Sequence, residues 1–225
     1  VTTQTEAEKI LNDIKKSDLT VDWVKNSVMK RNPQPPFTTS TLQQDASRKL
    51  SYQATRTMQI AQTLYEGVNL GGKYGTIGLI TYMRTDSLRI AADAIGEAQA
   101  LIRAEYGDNY AHARQYKSKK SAQDAHEAIR PTSVFIKPND IKDKLSNDQY
   151  KLYKLIWERF VASQMESATY NVSSAQMSAG THSFRASGSE IAFNGYMSVY
   201  IESTDEKEEK SKLLPKLEAK DVLTL

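Results

Sequence analysis

The segment Asn32-Pro-Gln-Pro-Pro36 admits neither a helix interior nor a central strand. Proline fixes φ, removes an amide donor and pushes the residue before it into extended backbone. The segment is therefore an extended connector, and the hydrophobic pattern differs on its two sides. Before it, Leu19, Val21 and Trp23 alternate with polar residues, the period of a half-buried strand, and the pattern carries on toward Val28. After it the period becomes helical, with Leu42, Ala46 and Leu50 at spacing four. A helix is predicted over about 54–66, with Met58, Ala61, Leu64 and Tyr65 on its apolar face and Gly67 as its stop. Ser146-Asn-Asp-Gln149 opens a long amphipathic helix whose stripe is Tyr150, Tyr153, Ile156, Trp157, Phe160 and Val161. From Ala168 the period returns to two. Tyr170 and Val172, Phe184, Ile191 and Phe193, then Met197, Val199 and Ile201 mark several short strands, with Gly180, Gly188 and Gly195 between them. The expectation is an α+β protein. A mainly helical domain, 42–167, is inserted into a discontinuous, barrel-like β-rich domain made of 1–41 and 168–225.

Local signals fill in the rest. Thr5-Glu-Ala-Glu8 reads as a capping box for a short first helix, and Ser40–Gln43 and Thr41–Gln44 as overlapping boxes for the second. The glycine-rich stretch 69–78 reads as a flexible hinge leading into the apolar run Leu79-Ile-Thr-Tyr82. Asp86 or Ser87 is the expected cap of a helix that runs to about Tyr106 and stops at Gly107. Residues 108–125 form a polar, basic loop, and the run Asp205–Lys210 a solvated one.

Composition excludes several classes of function. With 39% hydrophobic and 25% charged residues the chain can bury a core, so wholesale disorder is not expected. No apolar run approaches the roughly 18–20 residues of a bilayer span. The absence of cysteine removes disulfides, thiolate zinc sites and thiol catalysis, and fits a reducing, cytoplasmic setting. Three histidines without a His-Glu-x-x-His pattern give a zinc hydrolase little support, and there is no Gly-x-x-x-x-Gly-Lys-Ser/Thr or Gly-x-Ser-x-Gly sequence. The start at Val1 and a strand-like finish at 221–225 read as a piece of a longer protein.

The net charge of +3 is unevenly spread: residues 42–168 carry +4 and residues 169–225 carry −2. Arg114, Lys117, Lys119, Lys120 and Arg130 fall within 17 positions, a cluster that suits either a phosphate backbone or a solvated loop. The chemically suggestive stretch is Gly78-Leu-Ile-Thr-Tyr-Met-Arg-Thr-Asp-Ser87. On extended backbone Tyr82 and Arg84 project to the same face. A phenol of pKa near 10 becomes a nucleophile only when something stabilises its phenolate. A guanidinium beside it does this, and also binds a phosphate under attack. With Thr85, Asp86 and Ser87 at a helix start, the amides there would favour an anion. These parts describe phosphoryl transfer to a phenol. In a chain with twelve tyrosines they also describe ordinary packing, and the residues alone leave both open.

Ile80-Thr-Tyr-Met-Arg-Thr-Asp-Ser87 closely resembles the active-tyrosine motif of the type IA DNA topoisomerases, in particular the bacterial topoisomerase I branch. Three further runs resemble the same family in the same order: Pro36-Phe-Thr-Thr-Ser-Thr-Leu-Gln-Gln-Asp-Ala-Ser47, Ala125-His-Glu-Ala-Ile-Arg-Pro-Thr132 and Leu155-Ile-Trp-Glu-Arg-Phe-Val-Ala-Ser-Gln-Met165. The resemblance implies that Tyr82 attacks a DNA phosphodiester, holds the 5′ phosphate as phosphotyrosine and releases a 3′ hydroxyl. Arg84 would contact the scissile phosphate. His126 would bind phosphate or assist proton transfer, with Glu127 and Arg130 as weaker candidates. Asp86 would orient Arg84 or cap the helix, with Ser87 beside it, and Gln43 and Gln44 would be DNA contacts or part of a cap. Strand cleavage, passage and resealing would relax negative supercoils without ATP. The resemblance also implies an architecture in which a β-rich arch carries the tyrosine domain.

The family's Mg²⁺ is held by an Asp-x-Asp-x-Glu cluster, and no such sequence occurs here. The implied metal site and much of the single-strand groove therefore belong to other domains of the same chain, and this piece alone is expected not to relax DNA. The implied partners are single-stranded DNA at the cleavage site and those other domains, on the bacterial nucleoid. Two other readings stand beside this one. One is a non-enzymatic module that binds single strands through a basic loop and exposed aromatics. The other is a different type IA branch, topoisomerase III or reverse gyrase.

Overall fold

The protein is described from a computed structural model that covers residues 3–117, 126–201 and 213–223. Lys119 and Lys120 of the basic cluster and the run Asp205–Lys210 lie outside the described residues. The chain is α+β and divides into two compact units, one made of residues 1–31, 168–194 and 204–225, the other of 32–167 and 195–203. The second thus takes in the proline connector and the segment after Asn194.

The first unit is built on long strands. Helix α1 (Gln4–Ile14) is capped by Thr3, whose side chain accepts the Glu6 amide at 3.3 Å, so the cap lies two residues before the box expected at Thr5. Strand β1 (Leu19–Arg31) pairs antiparallel with β4 (Ala168–Ala179) along nearly its whole length, from Thr20 opposite Ser178 to Arg31 opposite Ala168. Strand β5 (His182–Phe193) returns beside β4 through a tight turn in which Gly180 takes φ +59°, a value an L-residue adopts at a cost. Strand β6 (Val222–Leu223) pairs with Leu19 and Thr20.

The order is β5-β4-β1-β6, an open sheet among the described residues, where the sequence suggested a barrel-like closure of several short strands. Gly188 lies inside β5 opposite Ser173 and does not end it. The stretch holding Met197, Val199 and Ile201 forms no strand; Gly195–Ser198 is a 3₁₀ turn of the second unit. An added Cβ at Gly195 would meet the Glu166 and Ser167 carbonyls at 2.5 and 2.6 Å, so this chain reversal requires glycine.

The second unit is helical. Helix α2 (Thr39–Leu50) begins with a capping box between Thr38 and Thr41, and it buries Leu42, Asp45 and Ala46. The box expected at Ser40 or Thr41 is thus formed two or three residues earlier, and this frees Gln43 and Gln44 from the cap. Helix α3 (Ala54–Glu66) ends at Gly67 as its sequence requires. The glycine-rich stretch that follows is an antiparallel hairpin, β2 (Val68–Gly71) and β3 (Gly75–Ile77), not a hinge. Helix α4 (Ala92–Tyr106) follows, and α5 (Asn147–Ser163) carries the Ser146–Gln149 capping box read from sequence.

Helix α5 is the core of this unit, burying Leu152, Tyr153, Ile156, Trp157, Phe160 and Val161. The Tyr153 hydroxyl and the Trp157 indole N–H donate to the Ile136 and Val134 carbonyls, at 2.7 and 2.9 Å. Burial of these large aromatics satisfies their polar tips locally. At the centre of the unit sits a buried charge, Arg159. Its Nε donates to the Pro35 carbonyl at 2.8 Å, its Nη1 lies 3.5 Å from the Asp45 carboxylate, and its guanidinium stacks 4.9 Å from the Phe37 ring. The Tyr200 hydroxyl donates to the same carboxylate. The proline connector is therefore seated on a paired cation, and Phe37 is held fully buried beside it.

Candidate active site

Three of the four motif runs meet in one place. The main chain after Phe37 meets the main chain of Ile129, whose N–H donates to the Phe37 carbonyl at 2.8 Å. Leu79–Thr81 runs antiparallel to 130–132: Thr81 N–H donates to Arg130 O and Thr132 N–H to Leu79 O, both at 2.9 Å. The Thr81 hydroxyl adds a bond to the Ala128 carbonyl at 2.7 Å and accepts the Arg130 N–H at 3.0 Å. Runs nearly 50 residues apart in sequence thus form a short, irregular pairing around the candidate tyrosine.

Beyond Thr81 no strand partner continues among the described residues, yet the chain stays extended. Tyr82, Arg84 and Asp86 are exposed, while Met83, Thr85 and Ser87 are buried. This alternation puts the phenol and the guanidinium on one face, as the spacing implies. A single side chain holds the segment. Thr39 Oγ1 accepts the Thr85 N–H at 2.8 Å and faces the Met83 carbonyl at 2.8 Å, and the Thr39 N–H donates to Thr85 O at 2.9 Å. Both ends of the Met83–Thr85 stretch are therefore fixed by the first residue of α2.

The same alternation corrects the expected helix start. Helix α4 begins at Ala92 with Ala91 as its N-cap and no side-chain cap bond, so neither Asp86 nor Ser87 caps it. Met83, Thr85 and Ser87 bury every second side chain, the period of extended backbone and not of a first helical turn. Two amides here are taken by neighbouring hydroxyls: the Ser87 N–H donates to Thr85 Oγ1 at 3.0 Å and the Arg89 N–H to Ser87 Oγ at 3.2 Å. The anion hole expected from a helix N-terminus beside Tyr82 is thus absent among the described residues, and Ser87, 1% exposed, faces inward.

The positive charge at the site comes from side chains. Among the described residues neither Arg84 nor Asp86 makes an ion pair, so Asp86 does not orient Arg84 and the guanidinium is uncommitted. Arg89, not singled out from sequence, is also exposed on this stretch. Arg130 and Glu127 behave differently. They pair with each other at 2.7 Å, both largely buried, and Arg130 Nη1 donates to the Pro131 carbonyl at 2.9 Å. Their geometry braces the 126–132 turn. Gln43 is half-buried and Gln44 exposed on α2.

Around Tyr82 itself lie two rings. His126 stands 5.6 Å away between centroids with planes at 50°, and Tyr65 stands 5.4 Å away, edge to face at 67°. Tyr65 is the residue that sequence reasoning placed only on an apolar helix face. It is 41% exposed and Tyr82 38%. Gly78 makes this neighbourhood possible, because an added Cβ would lie 2.5 Å from the Tyr65 carbonyl oxygen. The described start of the basic loop, up to residue 117, is anchored by Arg114 and Tyr116. Arg114 bonds Met165 O and Ser167 Oγ, and the Tyr116 hydroxyl donates to Ser163 O at 2.8 Å, with burial pushing that phenol up to about 12.

Among the described residues no group of three or more His, Asp or Glu could hold a metal ion, and no helix is long and apolar enough to cross a membrane.

Comparison with known proteins agrees with the motif runs. A family model for DNA topoisomerase matches residues 1–225. The chain is 49% identical over 229 aligned positions to DNA topoisomerase 1 of Rickettsia bellii (strain RML369-C), covering 99% of this chain and 28% of that protein. It is also similar to the full-length topoisomerase I structure from Thermotoga maritima, with a TM-score of 0.80 and 39% identity over 96% of this chain and 34% of that one. The chain thus spans about a third or less of the length of the relatives it matches. A family match along the whole chain, joined to the convergence of its motif runs at Tyr82, places this protein in the DNA topoisomerase family, alongside the bacterial topoisomerase I enzymes.

Proposed function

We propose that this chain is the nucleophile-bearing part of a bacterial type IA topoisomerase and that Tyr82 cleaves one DNA strand by transesterification. The Tyr82 phenolate oxygen attacks the phosphorus of a backbone phosphodiester. The bond to the 3′ oxygen breaks, that oxygen leaves as a hydroxyl after taking a proton, and the 5′ phosphate remains on the tyrosine. Because one phosphodiester replaces another, resealing needs no ATP. Strand passage through the gap would then relax negative supercoils.

The observation that carries this reading is the exposed, extended pair Tyr82 and Arg84, held by Thr39 and flanked by the His126 ring. Arg84, uncommitted to any carboxylate among the described residues, suits the developing charge on the phosphate oxygens. His126, with its ring 5.6 Å from that of Tyr82, suits a phosphate contact or the proton that leaves the phenol. Glu127 and Arg130, paired to each other, act through the turn they brace. Mg²⁺ chemistry, single-strand binding along a longer groove and relaxation itself belong to the whole enzyme and its other domains, and no step above is routed through a metal.

The test joins this chain to the rest of the parent enzyme, adds Mg²⁺ and a single-stranded oligonucleotide, denatures, and maps the adduct by mass spectrometry. The expected result is a 5′-phosphonucleotide on Tyr82 that is lost in Tyr82→Phe with oligonucleotide binding retained. Binding without any adduct would instead favour a non-enzymatic single-strand module. This chain by itself is expected to relax no supercoiled DNA.

A further inference from the structure

The Tyr82 ring has a neighbour whose position is fixed by backbone. The Leu79 N–H donates to the Leu64 carbonyl at 2.7 Å, and Gly78 lies so close to the Tyr65 carbonyl that a Cβ there would meet it at 2.5 Å. The last turn of α3 and the start of the tyrosine segment are therefore locked together at two successive residues. Tyr65 projects from that lock, and its ring meets the Tyr82 ring edge to face at 5.4 Å. With His126 at 5.6 Å, the nucleophile's ring is held by two aromatic neighbours, although more than a third of Tyr82 is open to solvent.

An exposed tyrosine on a segment without a strand partner would otherwise exchange between rotamers, and only some of these place its oxygen in line with a phosphate. Aromatic edge contacts favour one orientation without covering the hydroxyl. Resting on the reading of Tyr82 as the nucleophile, we infer that Tyr65 is a positioning residue for it. The Tyr65 ring holds the Tyr82 phenol in its attacking orientation, and so sets the rate of strand cleavage and not the affinity for DNA. The ring carries this role and the Tyr65 hydroxyl does not.

The experiment uses the full parent enzyme with Tyr65→Phe and Tyr65→Leu. It measures the single-turnover rate of the Tyr82 adduct and, separately, equilibrium binding of the same single-stranded oligonucleotide. Tyr65→Phe is expected to match the wild type in both. Tyr65→Leu is expected to form adduct about tenfold more slowly, the scale of one lost aromatic pair, with affinity within about twofold. Because Tyr65 is substantially exposed, the leucine variant should fold, and a thermal melt checks this. A wild-type adduct rate in Tyr65→Leu overturns the inference. So does a loss of affinity that accounts for the slower rate, which would make Tyr65 a surface for a DNA base. A Tyr65→Phe rate as low as that of Tyr65→Leu overturns it by shifting the role to the hydroxyl. Failure of the wild-type enzyme to form any adduct at Tyr82 is a separate result, which removes the nucleophile reading and this inference with it.

Discussion

Thr39 Oγ1 accepts the Thr85 main-chain N–H at 2.8 Å while facing the Met83 carbonyl at the same distance. One hydroxyl on the first residue of α2 thereby supplies the bonds that a neighbouring strand would otherwise give to the segment carrying Tyr82 and Arg84.

Thr39→Val keeps the shape of this side chain and removes its hydroxyl, leaving the part-buried Thr85 N–H without that acceptor. Each neutral bond contributes about 0.5–1.5 kcal/mol, and an orphaned buried donor costs about 1–3 kcal/mol. Urea unfolding of the variant should show a loss in that range. Adduct formation in the parent enzyme should fall further than stability alone explains, and Thr39→Ser should restore both.

Arg84 is exposed and makes no ion pair among the described residues, so its replacement should barely change folding. Arg84→Ala is expected to slow adduct formation about 10²–10³-fold, as for the loss of a preorganised donor to developing charge. Arg84→Lys should recover only part of this, because an ammonium cannot present two parallel donors to a phosphate. Equal rates in all three proteins would remove Arg84 from the chemistry.

Arg159 is the structural counterpart, a buried cation paired with Asp45 beneath the connector. Arg159→Met removes the buried cation beside the Asp45 carboxylate, leaving it the Tyr200 hydroxyl and the exposed Arg48 at 3.8 Å, and should cost up to about 3–5 kcal/mol in chemical denaturation. Adding Asp45→Asn should recover much of that loss by removing the stranded charge. If the double variant were no more stable than the single one, the pair would not be what holds this region.

Acid should loosen the packing around Glu166. Burial by itself would raise this carboxyl, but the Ser167 N–H at 2.8 Å, His112 Nδ1 at 2.7 Å and the nearby Arg114 outweigh it and hold the carboxyl below its ordinary value. The folded state then binds this proton more weakly than the unfolded chain. The resulting stability is present above the ordinary carboxyl pKa of about 4.3 and is lost as pH falls through the lowered folded value. Thermal melts of this chain from pH 6 to pH 3 should show it, and Glu166→Gln should melt with a shallower acid dependence.

The helical elements with strong local signals were legible because their signals are local. Gly67 ends α3 and Gly107 ends α4, and the Ser146–Gln149 box opens α5, as sequence indicates. The misreadings occur where a local signal was outweighed by long-range contacts. Asp86 and Ser87 look like caps, yet Met83, Thr85 and Ser87 bury every second side chain and Thr39 bonds the amide between them. The glycines at 71–75 look like a hinge, yet Val68 and Ile77 pair across them. Gly188 looks like a strand end, yet β4 supplies it with a partner on an otherwise regular ladder.

The sequence by itself determined which chemistry is present: a tyrosine and an arginine two residues apart, the motif runs on either side of them, and the change of hydrophobic period that separates helical from strand-bearing segments. Those are properties of residue type and spacing, fixed before any folding. Only the tertiary structure decided what surrounds the phenol. Tyr65, His126 and Thr39 come from three separate segments, and nothing in their local sequence specifies that their rings and hydroxyl converge on Tyr82 and its neighbours. That convergence is set by the packing of α3 against Gly78 and by the pairing of 79–81 with 130–132, contacts whose energy exists only once distant parts of the chain have met.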